Sequence, residues 1–238
     1  MAESNPPPRS SYIARVETFF DHTDDTRSLF LRLPDGFKLK FSAGQFISIL
    51  IPLGDETRRR PYSIVSTPPQ SDLLEICFNR VANGRGVEWL FERVVGDPIE
   101  FMGPFGAFTM TAPPQIETIF VAEGTAIAPI LPMLHLAQSG PHASMLLLYT
   151  ASSQGHILYR KELENLAAHD SNFKFETTIH QPDLYEHLYS DVNRRWVAAD
   201  TSRARQFYIC GIGKSVTRMR DLLRSSGYER REVHYEQW

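Results

Sequence analysis

Cysteine is the scarcest residue in this sequence. Cys77 and Cys210 are the two cysteines among 238 residues, and each lies inside an apolar run. Two cysteines cannot build the framework of a disulfide-rich domain or supply the four ligands of a zinc or iron–sulfur site. We therefore expect a reducing, cytoplasmic setting and no iron–sulfur cluster held by this chain.

Long hydrophobic runs and an excess of one charge are also missing. No apolar segment approaches the roughly 20 residues that a transmembrane helix needs, and the start, Met1 to Pro8, lacks the basic and apolar regions of a secretory signal. The balance of 25 Lys and Arg against 28 Asp and Glu gives a formal charge of -3, without a basic tail for a nucleic-acid backbone. We expect a soluble protein with no membrane and no nucleic-acid partner, preceded by a disordered lead-in over residues 1–11.

Three familiar catalytic motifs do not occur. There is no G-x-S-x-G for a hydrolase nucleophile, and the eight histidines form no i, i+4 pair for a zinc protease. The run Cys210 to Ser215 resembles the end of a P-loop, but Tyr208 stands where the first glycine is required. These absences argue against a serine hydrolase, a metalloprotease and a nucleotide triphosphatase, and we predict no metal site.

Turn residues divide the first half of the chain into short segments rich in β-branched and aromatic residues. This pattern predicts a small antiparallel β-barrel over residues 12–112. The predicted strands are residues 13–20, 28–32, 45–51, 62–66, 73–80 and 98–102, and one helix is predicted over residues 87–93.

The pattern changes after Pro113 and Pro114, where strands and helices begin to alternate. Alternation predicts a parallel α/β domain over residues 113–238, with ligands beyond the carboxyl ends of its strands. The predicted strands are residues 116–122, 144–150, 173–179, 206–210 and 232–236, and the predicted helices are residues 128–137, 158–168 and 215–225.

Two stretches of the first domain carry groups that suit a flavin nucleotide. Arg60-Pro61-Tyr62-Ser63 offers a cation for a phosphate, an aromatic face for a ring system and a hydroxyl for a ring nitrogen. Asn83 to Val87 leads into the predicted helix, where glycines and free backbone N–H groups can approach a pyrophosphate. Each stretch alone is also compatible with a polar strand end or a flexible turn.

Two turns of the second domain lie where a dinucleotide would bind. Glu123 to Pro129 follows the first strand of this domain and opens its first helix, with Pro129 in an early-turn position that proline tolerates. Cys210-Gly211 ends another predicted strand at the same edge of the sheet. Taken alone, each turn is more often structural.

The ordered set of motifs resembles the ferredoxin–NADP reductase family of flavoproteins, over about residues 12 to 238. The motifs that carry the resemblance are Arg60-Pro61-Tyr62-Ser63, Gly103-Pro104-Phe105-Gly106-Ala107-Phe108, Gly124-Thr125-Ala126-Ile127-Ala128-Pro129, Cys210-Gly211 and Glu236-Gln237-Trp238.

The resemblance implies that the barrel holds FAD and that the α/β domain holds NADH or NADPH. In the barrel it implies that Arg60 pairs with the pyrophosphate, Tyr62 lies against the flavin and Ser63 hydrogen-bonds near N5. The full set of FAD-binding residues it implies there is Arg60, Pro61, Tyr62, Ser63, Arg80, Val81, Gly84, Arg85, Gly86 and Val87.

In the second domain the resemblance implies that Gly124, Thr125, Ala126 and the pair Cys210-Gly211 border the nicotinamide path. It also implies that Trp238 covers the isoalloxazine ring and that Glu236 lies near the reacting centre. The catalytic residues implied are therefore Ser63, Cys210, Glu236 and Trp238.

Three positions depart from the pattern of the family. Val87 replaces a Ser or Thr that donates to the phosphate, and Ala126 replaces a glycine of the dinucleotide loop. Ser152 lies near the position where relatives that use NADPH carry an arginine for the 2′-phosphate. Because residues 150–156 contain no arginine, we predict NADH over NADPH.

The sequence thus predicts a two-domain FAD oxidoreductase that takes a hydride from NAD(P)H and passes electrons to a protein acceptor: a ferredoxin, a flavodoxin or an oxygenase component. Two alternatives stay open. One is an NAD(P)H:flavin reductase that uses flavin as a diffusing substrate, and the other is a non-catalytic flavin-binding electron-transfer or regulatory subunit.

Overall fold

A computed structural model describes residues 11–68, 70–179 and 184–238 of the chain. The chain divides into two compact units between Thr111 and Ala112. Most of the predicted lead-in, residues 1–10, lies outside the described residues. Within the described part of the chain, no helix has the length and apolar character to cross a bilayer.

Among its described residues, the first unit contains eight strands and one helix. The strands are β1 (Tyr12–Thr23), β2 (Thr26–Arg32), β3 (Leu39–Lys40), β4 (Phe46–Leu53), β5 (Glu56–Ser63), β6 (Gln70–Ser71), β7 (Leu73–Asn79) and β8 (Pro98–Phe105), and the helix is α1 (Arg85–Phe91). Six strands form an antiparallel sheet in the order β5-β4-β8-β1-β2-β7, while β3 pairs with β6.

The six-stranded sheet curls until its two edges meet. Ile64, directly after β5, forms an isolated bridge with Ile76 of β7, and the Val65 N–H donates to the Glu75 carbonyl at 2.8 Å. This narrow contact, which we call the seam, closes the sheet into a barrel. A closed barrel has no free strand edges.

The barrel is filled by the inward-facing residues of its strands. Ile47, Ile49 and Ile51 of β4 alternate along the strand and are fully buried, as period-2 patterning requires. Val87 and Leu90 of α1 belong to the same core cluster. The helix is therefore fixed against the barrel, and its first turn is held close to β4 and β5.

Strand β5 begins earlier and is longer than the sequence predicts. The sequence predicts a strand over residues 62–66, whereas the structure places it at Glu56–Ser63. The segment is rich in Arg and Glu, which have low strand propensity. It is a strand because a tight turn at Gly54 (φ +70°) pairs it with apolar β4 along its whole length. Arg60-Pro61-Tyr62-Ser63 consequently lies on a strand.

Five parallel strands form the sheet of the second unit. They are β9 (Glu117–Glu123), β10 (Met145–Ala151), β11 (Phe173–Ile179), β12 (Arg205–Gly211) and β13 (Val233–Gln237), in the order β11-β10-β9-β12-β13. The helices are α2 (Leu131–Ala137), α3 (Arg160–His169), α4 (Leu184–Val192) and α5 (Lys214–Ser225), with short 3-10 turns at Gly124–Ile127, Gln154–His156 and Arg230–Glu232 and a π-helical turn at Asn193–Ala198. The predicted fold class, an antiparallel barrel followed by a parallel α/β domain, is confirmed.

Two helical predictions for this unit need correction. The helix expected over residues 128–137 is a 3-10 turn at Gly124–Ile127 followed by α2, which begins at Leu131. Helix α4 and its π-helical turn were not predicted, although Leu188, Val192 and Trp196 are buried at a spacing of four residues. That spacing is a helical signal, and the charged residues between them obscured it.

The register of the sheet brings several loops to one edge. Cys210 of β12 lies opposite Ala122 of β9 and Glu236 of β13. The carboxyl ends of parallel strands point the same way, so the residues after Glu123, Ala151 and Gly211 share an edge. This edge carries the candidate residues of the second unit.

Candidate functional site

Strand β5 carries three candidate side chains in strand register. Arg60 lies opposite Ile49, Tyr62 opposite Ile47 and Ser63 opposite Phe46. Arg60 and Tyr62 are two residues apart and therefore share one face of β5. The structure thus places a cation and an aromatic ring side by side, with the Ser63 side chain at the end of the strand.

Tyr62 combines a packed ring with a protonated hydroxyl. Its ring packs against the barrel core and meets Phe78 edge-on, with ring centroids 5.7 Å apart. Burial raises the pKa of the Tyr62 phenol to about 12, although the nearby charge of Arg60 acts in the opposite direction. The side chain therefore stays neutral at physiological pH and offers an apolar face to a ligand.

Arg60 lies beside the first turn of α1. A Cβ atom built on Gly86 would be 3.3 Å from Cδ1 of Ile51 and 3.7 Å from Cγ of Arg60. On Gly84, a Cβ would lie only 2.6 Å from Cγ2 of Val81 and 2.9 Å from its carbonyl oxygen. Gly86 therefore lies close to the Arg60 side chain, while Gly84 packs against Val81 at the start of the helix. The predicted roles of these residues in FAD binding stay predictions.

Backbone donors accompany this cation. The Glu88 N–H is bonded to the Gly84 carbonyl at 3.0 Å, and the Arg85 N–H is bonded to Asn83. Helix geometry leaves the Gly86 and Val87 amides without an acceptor inside the helix. A guanidinium group beside such amides suits a phosphate bridge, and these donors remain although Val87 has no hydroxyl. The residues present therefore fit the pyrophosphate of FAD.

The motif Gly103 to Phe108 supports the same region from β8. Gly103 has φ +144° and Gly106 has φ +105°, and a Cβ on either would press on Phe46 at 3.2 or 3.1 Å. Phe46 pairs with both Ser63 and Phe105. The two glycines therefore let β8 approach the end of β5 where Ser63 lies.

Arg80 has other partners. Its guanidinium lies 3.7 Å from the ring centroid of Phe91, forms an ion pair with Glu88 at 3.2 Å and donates to the Asp24 carbonyl at 2.6 Å. These contacts fix the end of β7 to α1. Its predicted part in FAD binding stays a prediction, whereas Val81 lies next to Gly84 as described above.

In the second unit, a buried tyrosine connects two of the edge loops. The Tyr149 hydroxyl donates to the Gly124 carbonyl at 3.0 Å and accepts from the Leu158 N–H at 3.1 Å. Gly124 has φ +52°, in the left-handed region, and opens the turn that contains Thr125 and Ala126. The sequence analysis missed Tyr149. A tyrosine within an apolar strand was the available signal, because a buried hydroxyl needs a partner.

Cys210 and Glu236 lie side by side inside this edge. Cys210 is fully buried; burial raises the pKa of its thiol well above the usual value, and the charge of Glu236 adds to the rise. Burial raises the pKa of the Glu236 carboxyl to about 7, opposed by a side-chain hydrogen bond with Trp238. Cys210 is thus a neutral thiol, and Glu236 can take up or release a proton near neutral pH.

Trp238 is attached to the sheet edge through its backbone. Its N–H donates to the Gly211 carbonyl at 3.0 Å, and its carbonyl accepts from the Gly213 N–H at 3.3 Å. The Trp238 side chain remains 42% exposed. An anchored backbone with an exposed indole is compatible with a ring that covers a ligand, but this role stays a prediction.

An arginine outside residues 150–156 lies close to the loop that follows β10. Arg160, at the start of α3, donates to Oε1 of Gln154 at 2.7 Å. Ser153 and His156 pair through Oγ and Nδ1 at 2.8 Å in the same loop. Two other arginines of this unit, Arg194 and Arg195, form ion pairs with Asp191.

Comparison with known proteins gives matches to both units. The family model described as Oxidoreductase FAD-binding domain matches residues 14–110, and the one described as Oxidoreductase NAD-binding domain matches residues 120–220. The chain is 30% identical over 230 residues to Ferredoxin–NADP reductase B of Sorangium cellulosum, and the match covers 89% of this chain and 91% of that protein.

Two further proteins are similar over part of their length. The glycine betaine monooxygenase reductase subunit of Pseudomonas aeruginosa is 24% identical, and the match covers 94% of this chain but 63% of that protein. The crystal structure of the Amycolatopsis cytochrome P450 reductase GcoB has a TM-score of 0.80 at 22% identity, covering 96% of this chain and 69% of that one. The chain therefore spans less than two thirds of that reductase subunit's length.

Proposed function

Because the chain belongs to the ferredoxin–NADP reductase family of flavoproteins, we propose that it takes reducing equivalents from NADH and delivers them to a separate redox protein. It is an NAD(P)H-dependent flavoprotein reductase with FAD- and NAD-binding domains. The observation that carries the proposal is the cluster of Arg60, Gly84 and Gly86 beside Tyr62, which suits a flavin nucleotide.

The residues of the cluster contact different parts of FAD. Arg60 and the amides of Gly86 and Val87 bind the pyrophosphate, while Tyr62 and Ser63 orient the ring system. FAD, when bound, supplies the conversion of a two-electron donation into single-electron steps. The partly buried Tyr62 ring limits the access of water to that region, which favours transfer to the intended acceptor.

In the second unit, Gly124, Thr125, Ala126 and Gly211 border the nicotinamide nucleotide at the carboxyl edge of the sheet. Glu236 holds or releases a proton there, and Cys210 gives a neutral, apolar wall. Trp238 covers the ring system until nicotinamide replaces it.

The acceptor is a ferredoxin, a flavodoxin or an oxygenase component. Ferredoxin and monooxygenase partners are named for the relatives, and this chain has only two cysteines, so it cannot hold an iron–sulfur cluster through four of them. Both cysteines are buried, which fits a reducing, cytoplasmic setting.

NADH is the proposed donor, because residues 150–156 contain no arginine for a 2′-phosphate. Arg160 is the residue most able to reverse this preference, since it already reaches Gln154. Comparing kcat/KM for the two donors tests the choice. A preference for NADPH of about tenfold or more, lost in Arg160→Ala, would contradict it and identify Arg160 as the phosphate ligand.

The proposal is tested with Arg60→Ala and its matched control Arg59→Ala. Arg59 is the exposed neighbour whose side chain leaves β5 on the opposite face. We expect the natural chain to be yellow as purified and bleached by NADH without oxygen. Arg60→Ala should lose a contact worth roughly 1.5 to 3 kcal/mol and release FAD on gel filtration, whereas Arg59→Ala keeps it.

The same measurements separate the alternatives. A colourless chain that reduces added flavin is a flavin reductase. A yellow chain that neither NADH nor NADPH bleaches is a non-catalytic flavin protein. Full FAD occupancy in Arg60→Ala would contradict the assignment of the pyrophosphate cation.

A further inference from the structure

Strand β1 is longer than one of its two neighbours and runs past the point where that neighbour begins. It pairs with β8 over residues 12–15. Its last bonds on that side join Val16 to Gly96 and Asp97, at 2.8 and 2.9 Å. Over residues 17–23, β2 is the one strand that pairs with β1 in the described parts of the chain. The barrel therefore closes without covering the second edge of this stretch, which we call the open edge.

The open edge is apolar where proteins usually protect a strand edge. Phe20 is 58% exposed, and Val94 and Val95, which directly precede Gly96, are exposed beside it. Lys and Pro commonly guard an unpaired edge, and residues 17–23 contain neither. An edge of this kind accepts another strand, because its backbone N–H and C=O groups can continue the sheet.

The Phe20 ring is held in place although it is exposed. It meets the His22 ring edge-on, with ring centroids 4.9 Å apart. Nε2 of His22 is hydrogen-bonded to Oγ of buried Ser28 at 2.8 Å, and this hydroxyl donates to Glu75 at 2.6 Å. An aromatic side chain that is already oriented loses little freedom when it is covered, which favours its use as an interface anchor.

Phe20 also lies at the midpoint of the open edge. When a strand pairs with a second copy of itself across a two-fold axis, directly opposite side chains lie on the same face, so the axis passes beside one residue. An axis at Phe20 pairs all of residues 17–23 and brings the two Phe20 rings together. An axis at any other residue leaves part of the open edge unpaired.

The charges of the strand favour the same axis. With the axis at Phe20, Glu17 lies opposite the uncharged Thr23. Moving the axis to Phe19 would set Glu17 opposite Asp21, and like charges directly opposite each other destabilise a sheet. The open edge is therefore complementary to a second copy of itself in one register.

We propose that the open edge joins a second copy of this chain, with the two-fold axis at Phe20, so that the two six-stranded sheets become continuous. The inference goes beyond the proposed function, because residues 17–23 include none of those assigned to FAD or to the nicotinamide nucleotide. The contact consists of one short strand and a few apolar side chains, so the dimer is a small interface that forms reversibly.

The first test measures the mass of the full chain by light scattering over a range of protein concentrations. We expect a reversible shift toward twice the chain mass of 27.2 kDa. Phe20→Lys sets two ammonium groups opposite each other and should weaken dimerisation by about tenfold or more. Ile13→Lys is the matched control, because Ile13 is 57% exposed on the same strand but lies opposite Glu100 of β8.

The second test uses Phe20→Cys to read the register directly. Opposite residues of an antiparallel pair have Cα atoms about 4.5 to 5.5 Å apart, a separation that a disulfide can span. Both natural cysteines are buried. Under mild oxidation we therefore expect Phe20→Cys to give a disulfide-linked dimer and Ile13→Cys to stay monomeric on a non-reducing gel.

Three results overturn the inference: a natural chain that keeps the monomer mass at every concentration, a dimer that Phe20→Lys leaves intact, or cross-linking of Phe20→Cys that is no faster than that of Ile13→Cys. If Phe20→Lys fails to fold, the cross-link decides alone. None of these measurements uses flavin or activity, so their failure leaves the proposed function untouched.

Discussion

The Glu236 carboxyl affects the free energy of unfolding in a way that depends on pH. Its Oε2 atom is buried and has no hydrogen-bond partner among the described residues. Its pKa is about 7, against an ordinary value of 4.5, so the folded chain favours the protonated form. Ionising the group in place opposes folding, and removing its charge should relieve that penalty.

For Glu236→Gln we therefore expect a change in how stability varies with pH. In the natural chain the free energy of unfolding should fall as pH rises from 4.5 to 7, by on the order of 3 kcal/mol, because the unfolded chain releases this proton first. Glu236→Gln should flatten this decline. Urea unfolding at several pH values measures it, with exposed Glu164→Gln as control; parallel curves for the natural chain and Glu236→Gln would contradict the burial argument.

Trp238 is the second residue whose role a single substitution can decide. If the indole stacks on the flavin, Trp238→Ala should raise flavin fluorescence and tighten NAD+ binding, because the nucleotide no longer displaces a stacked ring. Turnover should slow if product release becomes limiting. Trp196→Phe, at a buried position of the same unit, serves as control. Emission and NAD+ affinity that both stay unchanged in Trp238→Ala would exclude a covering role.

At the scale of elements, loops take their position from the strands beneath them. Tyr149 of β10 fixes the carbonyl of Gly124 inward, so the planar peptide directs the N–H of Thr125 the other way, toward the edge of the sheet. The same hydroxyl fixes Leu158 in the next loop. One side chain thus contacts two loops at this edge of the sheet.

The variant Tyr149→Phe tests whether the hydroxyl of Tyr149 positions the two loops in addition to stabilising the fold. It removes the partner of the partly buried Gly124 carbonyl and of the buried Leu158 N–H, which costs about 1 to 3 kcal/mol of stability. We expect the KM for NADH to rise about fivefold while FAD occupancy stays complete and kcat changes little. Tyr208→Phe, buried in the same sheet, controls for the lost hydroxyl. An equal rise of KM in both variants would show that the loops do not depend on Tyr149.

Comparing the predicted strands with the observed ones shows which of them the sequence could predict. Strands of regular apolar pattern, such as β4 and β12, were predicted within one or two residues, because burial itself imposes the pattern. The first half of β5 was missed, since its Arg-rich residues gain their strand conformation from pairing with β4. Similarly, Arg60 could be named from its motif, but its approach to Gly86 depends on packing between distant segments.

At the scale of the whole molecule, the two units divide the work of binding. The first carries the residues that suit a flavin nucleotide, and the second carries those that suit a nicotinamide nucleotide. The relative from Sorangium cellulosum is matched over 91% of its length.

The seam of the barrel has a consequence for dynamics. The other neighbouring strands of the six-stranded sheet pair through three to eight residue positions, whereas Ile64 and Ile76 form an isolated bridge directly after Ser63. Regions held by few hydrogen bonds open locally before the rest of a domain. We expect the amide hydrogen of Val65, which bonds across the seam to Glu75, to exchange with deuterium faster than those of Ile49 and Ile51, and FAD to slow that exchange. Equal exchange at both places would contradict this prediction. Faster exchange at the seam would mean that local opening of the barrel sets the rate at which flavin dissociates.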